Sequence, residues 1–166
     1  MNIFILDRDP SLAAEYHCDK HVVKMIVESA QIMSTALQQL YGIDERLYKP
    51  THVKHPCVIW AMESQQNIVW LWRLSFWLCM EYTRRYEKNH KSRGVLEVIA
   101  PRLTELPNNG LTPFPQVVPP DCVSYDSVEA YRKYYAEYKF EFATWTKRKV
   151  PDWYEKRRRL LESEKG

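Results

Sequence analysis

The sequence predicts an all-α protein: a single compact helical domain over residues 1–166, built around a central buried helix, with a long proline-rich loop and a basic C-terminal helix. Three observations carry that expectation. Across residues 19–40, at about 3.6 residues per turn, His21, Lys24, Glu28, Gln31 and Thr35 fall in one narrow arc. Val22, Val23, Met25, Ile26, Ala30, Ile32, Met33 and Leu37 fill most of the rest, a pattern that buries a helix instead of floating it on a surface. Residues 57–86 are apolar almost all round, from Val58 and Trp60 to Leu78 and Met80. Finally, the chain has only 4 Gly and no Gly-rich phosphate loop, which argues against a nucleotide-binding parallel sheet.

The elements follow in order. Residues 2–6 are a short apolar segment, a strand or an extended arm packed on the core. Asp9-Pro10 supplies an N-cap and a first-turn proline. Running that helix straight on would push Asp19 into an apolar arc, so the chain is expected to pause near residues 17–19. Asp19 would then cap the second helix, which Gly42 closes. Pro56 opens a single long helix to about residue 86, with Glu63, Asn67, Trp70, Trp77 and Glu81 on one polar thread. A helix at 95–104 precedes the loop 101–120, which carries Asn108-Asn109-Gly110 and Pro113-Phe114-Pro115. Loops of this length are often functional. Asp126-Ser127-Val128-Glu129 reads as a capping box for a helix to about residue 144, and Pro151 precedes the basic terminal helix. Residues 1–94 would form the helical core, and residues 95–166 would complete the same domain.

Composition narrows the class. Apolar content of 45% with 27% charged residues fits an ordered globular chain. The net charge of +3 is concentrated near the end, in Lys147-Arg148-Lys149 and Lys156-Arg157-Arg158-Arg159. Basic charge beside many aromatics (6 Trp, 11 Tyr) suggests a polyanion partner, although a solvated terminal helix has the same composition. The four cysteines are scattered without a Cys-x-x-Cys pair, which with no signal peptide points to a reducing, cytoplasmic setting. Glu63, Gln65, Gln66, Asn67 and Arg73 interrupt the longest apolar run, so no membrane association is expected.

The polar arc of residues 19–40 is the candidate catalytic seam. Ionisable groups in a mostly buried setting must be paired, and such sites are where enzymes hold perturbed pKa values. Glu28 can act as a general base or stabilise developing positive charge, with Lys24, His21 and His17 beside it. The competing reading is a Lys24–Glu28 ion pair closing a gap in the core. If the second thread faces the first, Gln31, His55, Trp60, Asn67, Trp70 and Glu81 are the substrate-binding candidates. Arg84, Arg85, Lys88, His90, Lys91, Lys147, Arg148, Lys156 and Arg157 are the nucleic-acid-binding candidates. His17, Asp19 and His21 have suggestive metal spacing, with His52 and His55 in the next connection. No third ligand is fixed, however, and Asp19 reads as a cap, so neither metal nor cofactor is expected.

The run Lys20-His21-x-x-Lys24-x-x-x-Glu28-x-x-Gln31-Ile32, followed by His55-Pro56 and Trp60, resembles small phage and bacterial proteins of the pyrimidine-dimer DNA glycosylase (endonuclease V-like) group. The resemblance spans roughly the first 90 residues; the C-terminal half is similar to phage proteins of unassigned activity. It implies a helical fold that bends DNA, flips a nucleotide and cleaves an N-glycosidic bond, with DNA as partner; the chain itself is expected to act as a monomer. In the characterised enzyme an N-terminal α-amine attacks the sugar C1′ and a carboxylate assists. Here Asn2 is a bulky neighbour that hinders removal of Met1, and Glu28 is the best match for the carboxylate. The alternatives are a non-catalytic phage nucleic-acid-binding or host-interaction protein, or an enzyme acting on a free nucleotide or nucleobase.

Overall fold

The computed structural model describes residues 1–166 and contains α-helices and 3-10 turns but no strand. Residues 3–6 form the extended arm, fully inside the core and without a strand partner. Helix α1 (Pro10–Tyr16) starts at Asp9, whose carboxylate accepts the Ser11 N–H at 2.9 Å. The chain breaks at His17-Cys18, and α2 (Asp19–Tyr41) begins with Cys18 as N-cap. Asp19 is therefore not the cap. Its carboxylate instead accepts the Thr146 N–H at 2.9 Å, the Thr146 and Thr144 hydroxyls at 2.7 and 3.0 Å, and Arg85 at 3.1 Å. These distant donors outcompete the N–H groups of its own first turn. Gly42, at φ 97°, closes α2 as expected.

The expected single helix over residues 57–86 is two. Helix α3 (Pro56–Glu63) ends at Ser64, extended at φ −159°, and α4 (Gln65–Tyr86) restarts there. The Ser64 hydroxyl caps the Asn67 N–H at 3.1 Å, and the Gln65 N–H donates to the Pro107 carbonyl at 2.8 Å. A serine offering a local acceptor and a loop offering a distant one together make the break cheap. Helix α5 (Arg93–Ile99) tightens into a 3-10 turn, Ala100–Glu105, where Pro101 brings no N–H. After a short 3-10 turn (Pro120–Cys122), Asp126 caps α6 through the Val128 N–H at 2.9 Å. Helix α6 (Ser127–Tyr138) is shorter than expected. Residues 139–151 leave the helix to cross the start of α2, where the Asp19 N–H donates to the Thr144 carbonyl at 2.8 Å. Helix α7 (Asp152–Lys165) follows Pro151.

One hydrophobic cluster of 36 buried residues runs from Ile3 to Tyr154, with α2 packed against α3, α4 and α5. Ile26, Ile32, Met33 and Leu37 on α2 are fully buried, each contributing about 1.5–3 kcal/mol. All four cysteines are buried and unpaired, and burial pushes the Cys57 thiol up to about 12. No helix is long and apolar enough to cross a membrane.

Candidate active site

One face of α2 lines an open cleft of about 520 Å³, formed by Val23, Lys24, Val27, Glu28 and Gln31, together with Met1 and His52. Glu28 lies in its wall, 8% exposed. Its Oε1 accepts the Asn2 N–H at 3.0 Å and lies 3.4 Å from the Met1 nitrogen. Oε2 is buried and accepts no hydrogen bond; the nearest cation is Lys24 Nζ at 3.7 Å, on a side chain 66% exposed. The carboxylate thus keeps one oxygen committed and one in reserve.

Several parts of the chain fix the first two residues against Glu28. The Asn2 amide donates to the Val117 carbonyl at 2.8 Å, and its Oδ1 accepts from the Tyr131 hydroxyl and the Ile3 N–H, each at 2.8 Å. His55 caps α3 by accepting the Cys57 N–H on Nδ1 at 3.1 Å. Burial, and then the positive charge at the Met1 nitrogen, lower the His55 pKa. His55 therefore serves as a helix cap and does not line the cleft.

The seam read from the sequence divides. Glu28, Lys24 and Gln31 share the cleft, whereas His21 and His17 turn into the core. His21 Nδ1 meets the Tyr135 hydroxyl at 2.6 Å, and its ring packs 4.4 Å from Phe4. Burial, followed by the charge of His17, holds its pKa at about 2. His17 Nδ1 is 2.6 Å from the Ala13 carbonyl, and burial lowers its pKa to about 4. Neither imidazole can shuttle protons at the cleft.

The second thread does not face the first. Asn67 is fully buried, donating to the Trp60 carbonyl at 2.8 Å and the Thr112 hydroxyl at 2.7 Å while accepting the Thr112 N–H at 2.9 Å. Trp60 and Trp70 sandwich Phe114 at 5.4 and 4.8 Å, and Trp70 donates to the Arg8 carbonyl. These three residues fasten the proline-rich loop to α3 and α4. Glu81 is saturated by Arg85 at 2.9 Å and by Arg148 Nε at 3.0 Å.

The basic candidates sort by the same criterion. Arg85 is 3% exposed and also bonds the His17 and Glu15 carbonyls, so no phosphate can reach it. Arg148 is engaged by Glu81 and Glu15, Arg157 by Glu129, and Lys147 by Glu87 at 3.4 Å. Arg84, Lys88, Lys91 and Lys156 are exposed and make no ion pair. His90 Nε2 meets the Val23 carbonyl at 3.1 Å, which brings the loop bearing Lys88 and Lys91 to the cleft's rim. Away from the cleft, Asp121, Cys122 and Glu137 hold ligand atoms within 4.8 Å of one another.

Sequence reasoning missed two cleft groups, the Met1 nitrogen and His52. Asn2 beside Met1 is the one hint of the first, and the sequence offers His52 only as a metal ligand.

No curated protein and no solved structure matches this chain. A family model described as pyrimidine dimer DNA glycosylase matches residues 1–93, the segment that contributes every residue lining the cleft. On that match, the chain belongs to the pyrimidine dimer DNA glycosylase family.

Proposed function

We propose that this protein excises a pyrimidine dimer from DNA by cleaving an N-glycosidic bond, with the Met1 nitrogen and Glu28 as the reacting pair. The observation that carries this reading is the 3.4 Å approach of that nitrogen to Glu28 Oε1, in the wall of an open cleft. The amine, having lost its proton to water, attacks C1′ of one nucleotide of the dimer. The C1′–N bond breaks with its electron pair on the base, and the attacking nitrogen, positively charged once bonded to C1′, loses a proton to Glu28. Glu28 stabilises the positive charge that builds on the sugar and receives that proton. Glu28 then returns that proton to O4′ as the C1′–O4′ bond opens, and the resulting imine is the branch point between hydrolysis and strand cleavage. Holding amine, carboxylate and sugar together converts an encounter into an intramolecular step, worth several kcal/mol of barrier.

Lys88, Lys91 and Lys24 beside the cleft are the phosphate contacts in this reading, and Gln31 contacts substrate inside it. Arg148 and Arg157 are braces between helices. The test is a duplex carrying one thymine dimer. Wild-type protein breaks the bond to the base (base release, read as strand scission after alkali, because the cyclobutane ring still tethers the freed base to its neighbour) and is trapped on the DNA by borohydride, whereas Glu28→Gln binds the duplex but releases nothing. Full release by Glu28→Gln would sink the proposal. Release without trapping would assign the attack to water, and binding without release would leave a non-catalytic DNA-binding protein.

A further inference from the structure

We propose that His52 is the residue that holds the departing base: a ring N–H donates to the base carbonyl oxygen on which negative charge collects as the bond to C1′ breaks. The inference rests on the glycosylase reading above and adds a residue to it.

Glu28 and the Met1 nitrogen both serve the sugar, and a carboxylate cannot donate to a leaving base. The opposite side of the reaction therefore needs a donor. Lys24, 3.7 Å from Glu28, contacts phosphate in that reading, and Gln31 shares the Glu28 helix, three residues on. His52 comes from a different element, the connection between α2 and α3, and lines the same cleft. Among the other imidazoles, His17 and His21 are in the core, and His90 is spent on Val23 and the Ser92 N–H. His55 is spent on capping α3 at Cys57 and does not line the cleft. His52 keeps Nε2 free beside the cleft.

Its placement is built and costs free energy. His52 has φ 51°, a left-handed backbone that a residue with a Cβ adopts at a cost of about 1 kcal/mol or more. The connection is rooted in α2 by the Thr51 N–H, which donates to the Thr35 hydroxyl at 3.1 Å, and in α3 by the His55 N–H, which donates to the His52 carbonyl at 2.9 Å. The ring is oriented by the Thr51 hydroxyl, 2.7 Å from Nδ1. This backbone, which histidine adopts more readily than most residues with a Cβ, fixes where the imidazole leaves the chain beside the cleft. In the proposed step the C1′–N electron pair passes to the base, and the His52 N–H stabilises the charge on its carbonyl oxygen. The base then takes its proton from water, while C1′ stays bonded to the attacking nitrogen.

The test compares wild type, His52→Asn, His52→Gln and Glu28→Gln on two duplexes, one with a single thymine dimer and one with a tetrahydrofuran abasic analogue. His52→Asn is expected to melt at or above the wild-type temperature because Asn accepts the left-handed backbone. Its kcat for base release falls by roughly a hundredfold, the cost of removing one donor from a site of developing negative charge. Affinity for the abasic duplex, which has no base to hold, stays unchanged, and His52→Gln recovers part of the rate through its amide N–H. Wild-type kcat in His52→Asn, with Glu28→Gln inactive, would overturn the role of His52 and leave the glycosylase reading standing. A lowered melting temperature with matching loss of abasic-duplex binding would reduce His52 to a structural residue. Absence of base release by wild type would overturn both proposals.

Discussion

Glu28 on α2 and Glu81 on α4 are both nearly buried carboxylates, 8% and 4% exposed, yet they differ in what surrounds them. Glu81 receives two guanidinium groups, and its partner Arg85 continues to Asp19 and two backbone carbonyls. Every member of that network is spent on another member, so it joins α1, α2, α4 and the 139–151 segment and has nothing left for a ligand. Glu28 spends one oxygen on the Asn2 backbone, keeps the other without a hydrogen bond and faces an open cleft. A buried charge that is fully paired holds a fold together, and one left partly unpaired beside a cavity has capacity for chemistry.

Substitutions should separate the two regions. The largest effect on activity is expected from Glu28→Gln: single-turnover base release down about a thousandfold, with little change in melting temperature. The mirror image is Arg85→Met, which leaves Glu81 and Asp19 short of a cation in the interior and should cost about 3–5 kcal/mol in urea unfolding. Base release per folded Arg85→Met molecule should be unchanged; a lost rate at full folding would merge the two regions.

Acid should act on the core side of the divided seam. His17 and His21 titrate near 4 and 2 in the fold, below about 6.5 for an unfolded histidine. The unfolded chain therefore binds more protons, and the stabilisation is complete above pH 6.5 and lost as pH falls toward 4. Each imidazole contributes about 1.4 kcal/mol per pH unit in that window, read from urea midpoints between pH 7 and 4.5. A flat profile would mean that the two rings are solvated. Thr112→Val, which strips Asn67 of a buried partner, should cost about 1–2 kcal/mol without altering DNA affinity. The smallest effect is on salt dependence: Lys88→Gln should lower the slope of log affinity against log salt by about one, and Arg157→Gln should leave it unchanged. Equal slopes for both would return the basic terminal helix to the DNA-binding surface.

Helix starts and stops were legible because their signals are local. Asp9-Pro10, Gly42, Pro56 and Asp126 each do in the structure what their residue types predict within one turn. Ser64 offers an equally local cap, but the apolar pattern on either side of it masks the break. The proline-rich loop was visible as a loop, yet its attachment through Thr112 to Asn67 spans 45 positions and leaves no mark on the sequence nearby. The polar seam was visible as an arc, and only its division into cleft and core was hidden.

By itself the sequence determined the all-α class, the centrality of α2 and the presence of Glu28, Lys24 and Gln31 on one helical face. It also showed the family resemblance over the first half of the chain. Only the tertiary structure decided that His21 turns toward Tyr135, that Asp19 anchors Thr146, and that Met1 and His52 join Glu28 at the cleft. A helical pattern specifies the angle at which a side chain leaves the axis. What covers that angle comes from residues as far as 127 positions away, and it decides whether a charge is buried, paired or left free to react.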